Sequence, residues 1–207
     1  MYSPRSSAAT RLTRCGEISM ATSHRSRPVL AADLTVPNLI LVGLPGSGKS
    51  TVGRALANAL GRDFLDFDVE IERRQGVTVS EIFGERGEAA FRALEVALTR
   101  ELKDSANLVL APGGGWITNP SCLELLRPPA QVIYLQIDPA RALARMAAEA
   151  ANRPLLRHPN PLQQLERLLA ARKDLYLLAD HTLRVDALGE KEVVADIVAL
   201  ASRPLGD

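Results

Sequence analysis

The feature that most limits what this chain can become is the run Gly43-Leu44-Pro45-Gly46-Ser47-Gly48-Lys49-Ser50. It fits G-x-x-x-x-G-K-[ST] at every fixed position. The apolar run Asn38–Val42 precedes it and reads as a buried parallel strand. The stretch Ser50–Leu60, stopped by Gly61, reads as a helix. Strand, glycine turn and helix are the context in which such a loop holds phosphates. The glycines let backbone N–H groups curl around phosphate oxygens without Cβ clashes. The helix N-terminus adds partial positive charge. Lys49 reaches the outer phosphates and the Ser50 hydroxyl ligates Mg²⁺. Gly46, Ser47, Gly48, Lys49, Ser50 and Thr51 are therefore the expected nucleotide contacts, with Ser50 as the direct metal ligand.

The rest of the chain alternates in type. Phe64–Phe67, Leu108–Leu110, Val132–Gln136 and Thr182–Val185 read as strands. Between them lie helical stretches at Val69–Gln75, Glu88–Lys103, Pro139–Ala151 and Pro161–Leu178, with Lys191–Ser202 closing the chain. Thr78-Val79-Ser80-Glu81 has capping-box spacing and predicts a further short helix. Phe91, Leu94, Leu98 and Leu102 recur at helical spacing and predict a core-facing stripe. Strand alternating with helix implies an α/β fold with an open parallel sheet covered on both faces. The Pro-rich stretch 153–161 is the one long irregular segment, and such loops are often active-site lids.

Composition excludes several classes. The 207 residues carry a formal net charge of +1, with 46% hydrophobic and 24% charged residues. A general nucleic-acid binder should be strongly basic, so no nucleic-acid partner is expected. Two cysteines, Cys15 and Cys122, cannot make a disulfide scaffold or a Cys-based zinc site. His24, His158 and His181 are scattered and lack ligand-spaced partners. No apolar run approaches about 18 residues, so no membrane span is expected. The charge is uneven: residues 1–33 hold five arginines against Glu17 and Asp33, a net +3, which leaves −2 on the other 174. This Ser-, Thr- and Arg-rich stretch reads as a disordered basic extension. It lacks the apolar segment of a secretory signal. An organelle transit peptide, a plain tail, and a start called too early with Met20 as the true start all fit it. The expected division is an extension over 1–33 and a catalytic domain over 34–207.

Three further patterns carry chemistry. Asp66 and Asp68 sit at i and i+2 where the second strand ends, which would put both carboxylates on one face toward the ligand crevice. One would support Mg²⁺ through water while the other orients or deprotonates a hydroxyl; two solvated turn acids explain the pattern equally well. In Gly87-Glu88-x-x-Phe91-Arg92-x-x-Glu95, the Arg92 fork suits a substrate carboxylate. A surface Arg paired with Glu88 or Glu95 is the plainer reading. Pro112-Gly113-Gly114-Gly115 follows the third strand, and three successive glycines let a ligand approach the backbone closely.

Taken with Asn152-Arg153-Pro154-Leu155-Leu156 and Arg172-x-x-x-Tyr176, these motifs closely resemble the shikimate kinase family, in order across about residues 37–200. The resemblance implies a nucleoside-monophosphate-kinase-like P-loop fold with five parallel strands in the order 2-3-1-4-5. It implies ATP and shikimate as substrates, Mg²⁺ as cofactor, and shikimate 3-phosphate and ADP as products. It assigns Lys49 to the phosphates and Asp66 to Mg²⁺ through water. Asp68 falls to the attacking hydroxyl, Arg92 and Arg172 to the carboxylate, and the backbone of Gly113, Gly114 and Gly115 to the same site. Glu95 would hold Arg92 or a hydroxyl, Arg153 would close with a lid at about 149–162, and Arg145 would stack on adenine. Lys49, Asp68 and Arg153 are thus the expected catalytic set. Phe83, Phe91, Pro154 and Leu155 would wall the site, although a core role suits both phenylalanines as well. A cytoplasmic monomer is expected. Pro112 and Trp116 depart from the family pattern; either would reshape the substrate pocket, or Trp116 would pack under the lid. Two other readings remain: another small-molecule P-loop kinase of the gluconate-kinase kind, and a non-catalytic ligand sensor. The sensor should carry a DNA-binding module, which 33 irregular residues cannot form.

Overall fold

Four consecutive apolar residues, Leu39-Ile40-Leu41-Val42, have nowhere to go but a strand covered on both faces, and all four are buried. In the computed structural model, which describes residues 37–149 and 154–201, they form β1 (Leu39–Val42) at the centre of a five-stranded sheet. The order is β2-β3-β1-β4-β5, with β2 (Asp63–Asp66), β3 (Leu108–Ala111), β4 (Gln131–Gln136) and β5 (His181–Arg184), and every pairing is parallel. Seven α-helices lie among the described residues: α1 (Lys49–Leu60), α2 (Phe67–Gln75), α3 (Val79–Glu101), α4 (Pro120–Leu126), α5 (Pro139–Glu149), α6 (Pro161–Tyr176) and α7 (Glu190–Ala201). This is the expected fold. Residues 1–33 and Asn152-Arg153 lie outside the described residues.

The sheet supplies the core. Ile40, Leu41, Leu110 and Ile133 are fully enclosed between the helical layers, and truncating one of them to Ala would cost about 2–5 kcal/mol. Asn38 ties the start of β1 to its neighbours: its Nδ2 donates to Ser105 O at 2.8 Å, and its Oδ1 accepts from Leu108 N at 2.9 Å. The order reverses at β1, between β3 on one side and β4 on the other. In open parallel sheets, ligands bind outside the carboxyl ends of the strands at such a switch point.

Two local outcomes differ from the sequence-based expectation. The second strand ends at Asp66 rather than Phe67, because the Asp66 side chain caps α2, accepting from Asp68 N at 3.1 Å and Val69 N at 3.4 Å. Asp66 and Asp68 therefore do not share a strand face. Asp66 is an N-cap, and Asp68 sits in the first helical turn, where negative charge is favoured. The short helix after Thr78 and the longer one from Glu88 run on as α3, broken by a kink at Gly87 with φ 78° and ψ 169°. That conformation is essentially restricted to glycine. The capping box forms as expected: Thr78 Oγ1 accepts from Glu81 N at 3.2 Å, and Glu81 Oε2 accepts from Thr78 N at 2.7 Å. The helix α4 and the 3₁₀ turns at Trp116–Thr118 and Pro154–Arg157 were not expected.

Candidate active site

The carboxyl ends of β1, β2 and β3 bring the first three motifs together. Register pairs Ile40 with Leu110 and Asp66 with Ala111, so the phosphate loop, the Asp66 cap and the glycine turn leave the sheet side by side. A cavity of about 140 Å³ lies among them, lined by Gly46, Lys49, Ser50, Asp66, Asp68 and Gly113. A wider cleft of about 960 Å³ shares Ser50, Asp66 and Asp68 and runs out to Phe83 and Leu155.

On the loop side, Gly48 caps α1 at φ 94° and offers no side chain to it, so first-turn N–H groups of α1 face the cavity without a side-chain cap. Lys49 Nζ folds over the loop and donates to Gly43 O at 3.0 Å and Leu44 O at 3.1 Å. Ser50 Oγ donates to Asp66 Oδ2 at 2.5 Å, so the expected metal ligands adjoin. Thr51 lines the same cavity. Arg145, on α5, lies against Gly48 and donates from Nη2 to Val185 O just past β5. It therefore borders the loop from the β4–β5 side.

The other wall is acidic and buried. Asp68 Oδ1 and Glu95 Oε1 are enclosed and have no hydrogen-bond partner among the described residues. Both converge on Gly113: a Cβ there would fall 2.8 Å from Glu95 Oε1 and 2.9 Å from Asp68 Oδ1. Burial, followed by the charge of Asp66, pushes the Asp68 carboxyl up to about 6, against the pull of Lys49 and Arg92. Burial likewise pushes Glu95 up to about 7, with Asp68 adding to the rise and Arg92 opposing it.

Arg92 pairs with both of the carboxylates that its helical spacing offered. Its Nη1 meets Glu95 Oε2 at 2.6 Å and its Nη2 meets Glu88 Oε1 at 2.8 Å. Burial works against its charge, but these carboxylates outweigh burial and hold its pKa above the ordinary value. The guanidinium also lies against Gly115, so close that a Cβ there would displace it. Its Cζ is 5.5 Å from the Phe91 ring centroid and 6.0 Å from that of Phe83. From α6, Arg172 Nη1 donates to Gly114 O at 3.0 Å, and the Tyr176 hydroxyl donates to the same oxygen at 2.9 Å. Two arginines on different helices thus meet one glycine turn.

Some expected positions fall elsewhere. Phe91 is only 2% exposed and lies in the core beneath Arg92 rather than walling the cleft, whereas Phe83 and Leu155 do line it. Trp116 lines neither cavity. It is 1% exposed and packs edge-on against Phe67 at 6.4 Å, because an indole with a buried partner for its N–H is stable in the core. Pro112 does line the inner cavity. Arg153 lies outside the described residues. Tyr176 had no assigned role, although its spacing of four from Arg172 on one helix signalled a shared face.

The chemistry these parts allow is phosphoryl transfer from a nucleotide to a hydroxylated acid, and comparison with known proteins agrees. The sequence profile described as shikimate kinase matches residues 45–201. A shikimate kinase of Chromohalobacter salexigens is 43% identical over 169 residues, 81% of this chain and 93% of that one. The solved shikimate kinase of Acinetobacter baumannii, in complex with shikimate, is 42% identical with a TM-score of 0.75, covering 80% of this chain and 93% of that one. A gluconokinase of Sinorhizobium meliloti, 18% identical with a TM-score of 0.57 over 81% of this chain and 92% of that one, shares the fold. The chain belongs to the shikimate kinase family.

Proposed function

We propose that this chain transfers the γ-phosphoryl group of ATP to the 3-hydroxyl of shikimate, giving shikimate 3-phosphate and ADP, through the residues gathered at the glycine turn. The observation that carries this reading is the convergence on one turn of two arginines and two unpartnered buried carboxyl oxygens, beside a phosphate loop. A compact polyhydroxylated acid needs both kinds of group: cations for its carboxylate and acceptors for its hydroxyls.

In this reading Arg92 and Arg172 hold the carboxylate from opposite sides of the turn, and backbone at Gly113–Gly115 closes the floor. Asp68 Oδ1 accepts the proton of the attacking hydroxyl as its oxygen bonds to phosphorus and the bond to the ADP oxygen breaks. Glu95 keeps Arg92 in place. Lys49 leaves its loop carbonyls for the β- and γ-phosphate oxygens, and uncapped N–H groups of α1 take the remainder. Arg145 flanks the adenine side and Arg153 closes on the transferring group from a lid over about 149–162. Ser50 and Asp66 suit Mg²⁺, since a hydroxyl and a carboxylate already 2.5 Å apart are the hard oxygen donors it prefers. When bound, Mg²⁺ neutralises charge on the phosphate oxygens. Closure keeps water from the phosphoryl group. The domain is taken as 34–207, acting as a cytoplasmic monomer; no described helix is long and apolar enough to cross a membrane.

The test is coupled ADP release from purified protein with ATP and Mg²⁺, run with shikimate, quinate and gluconate in parallel. Turnover dependent on shikimate is expected. Turnover with gluconate alone would move the chain to the gluconate-kinase kind, and none with any acid would make it a sensor.

A further inference from the structure

The glycine turn is held from two sides, and the reaction uses only one of them. On the α6 side, Arg172 and Tyr176 both grip Gly114 O. On the α3 side the grip comes from a buried pair outside the cleft. Trp116 Nε1 donates to Thr99 Oγ1 at 2.9 Å, and Thr99 Oγ1 donates in turn to Glu95 O at 2.7 Å, one helical turn back. Thr99 is fully buried and Trp116 nearly so. The main chain of Trp116 completes the link, since its N–H donates to Gly113 O at 3.0 Å. One residue therefore joins the turn, through its backbone, to α3, through its indole. It does so at the helical turn that carries both Glu95 and Arg92.

What this link fixes is a close approach. The Arg92 guanidinium lies so close to Gly115 that even a methyl group there would overlap it. A small slide of the turn along α3 either drives the backbone into Arg92 or opens space beneath it. Neither Glu88 nor Glu95 can prevent that slide, because both travel with α3. Arg172 cannot prevent it either, because it holds the turn to α6.

We infer that Trp116 and Thr99 form a positioning brace that sets the distance between the glycine turn and Arg92, and through it the binding of the acid's carboxylate. The inference rests on the reading of Arg92 as a carboxylate ligand. Neither brace residue touches substrate. The brace belongs to this chain's own sequence, with a tryptophan where a small residue would leave α3 and the turn joined only by packing.

Trp116→Phe keeps an aromatic ring in the core and leaves the Thr99 hydroxyl bonded to Glu95 O. Its KM for shikimate should rise by about 3- to 10-fold, the worth of one ordinary hydrogen bond, with kcat and the KM for ATP within about twofold of wild type. Thr99→Val should do the same and Thr99→Ser should restore wild-type KM. The double variant Trp116→Phe/Thr99→Val should be no worse than either single one, since both remove the same link. A variant that loses thermal stability while its KM for shikimate stays at the wild-type value would overturn the brace and leave Trp116 a packing residue. The wild-type chain gives an independent readout. Trp116 is its single tryptophan, so the one indole ¹⁵N–H signal should move on titration with shikimate and stay put with ATP. A signal unmoved by saturating shikimate would overturn the inference whether or not the variants fold. Arg92→Ala separates the two readings. If it leaves the KM for shikimate unchanged, the site assignment fails; if it raises that KM while Trp116→Phe does not, only the brace fails.

Discussion

Asp68 and Glu95 are carboxyls whose burial shifts their titration upward. In the proposed mechanism Asp68 must be ionised to accept the hydroxyl proton, and burial pushes its carboxyl up to about 6. Accordingly kcat/KM for shikimate should fall as pH drops through about 6, and a pH–rate profile of the free enzyme checks this. Asp68→Asn should cut kcat by about 10²–10⁴-fold while ATP affinity, read by titration, hardly changes. Glu95 affects stability in the opposite sense to an ordinary ion-paired acid. Its folded-state value of about 7 exceeds the ordinary 4.5, so the unfolded chain sheds this proton first. The wild-type chain therefore loses stability as pH rises from about 4.5 to 7, and the loss persists above that window. Glu95→Gln should escape it, so urea midpoints of the two proteins should diverge in the variant's favour across that range. Equal divergence at every pH would assign the effect to packing instead.

At the scale of elements, α3 does the most. It begins in a capping box, bends at Gly87, then presents Phe91 to the core and Arg92 to the glycine turn from adjacent positions. A Cβ at Gly87 would meet nothing within 4 Å, so Gly87→Ala isolates backbone strain. It should cost about 1–3 kcal/mol in a denaturant melt, whereas Thr78→Ala should cost about 1 kcal/mol for the lost cap. What could be read from the sequence follows from how local its cause is. The buried strands, the phosphate loop and the capping box each rest on residues within a few positions, and each was legible. The kink was not, because a helix begun at Thr78 and another begun at Glu88 leave the same pattern as one helix bent at Gly87. Asp68 was placed on a strand because the pattern 64–68 does not show that the Asp66 carboxylate turns round to cap its own following helix. Trp116 misled for a longer-range reason: its partner, Thr99, is 17 residues away on another element.

For the molecule as a whole, the family match and every placed site residue begin after residue 42. A chain starting at residue 34 should keep the kcat and melting temperature of the full chain. A cut two or three residues beyond Pro37 should not, because Arg62 Nη1 donates to Pro37 O at 2.8 Å and Asn38 fastens β1 to its neighbours. The two walls of the cleft also prepare for their ligands in opposite ways. On the loop side Lys49 and Ser50 already have protein partners that an arriving phosphate would displace, while the first-turn N–H groups of α1 stand uncapped. On the other side Asp68 Oδ1 and Glu95 Oε1 have none, and in the proposed reading the hydroxyls of the acid supply what folding left open at Asp68. A ligand that pairs an enclosed oxygen left without a partner should raise the melting temperature more per hydrogen bond than one that only displaces an existing partner.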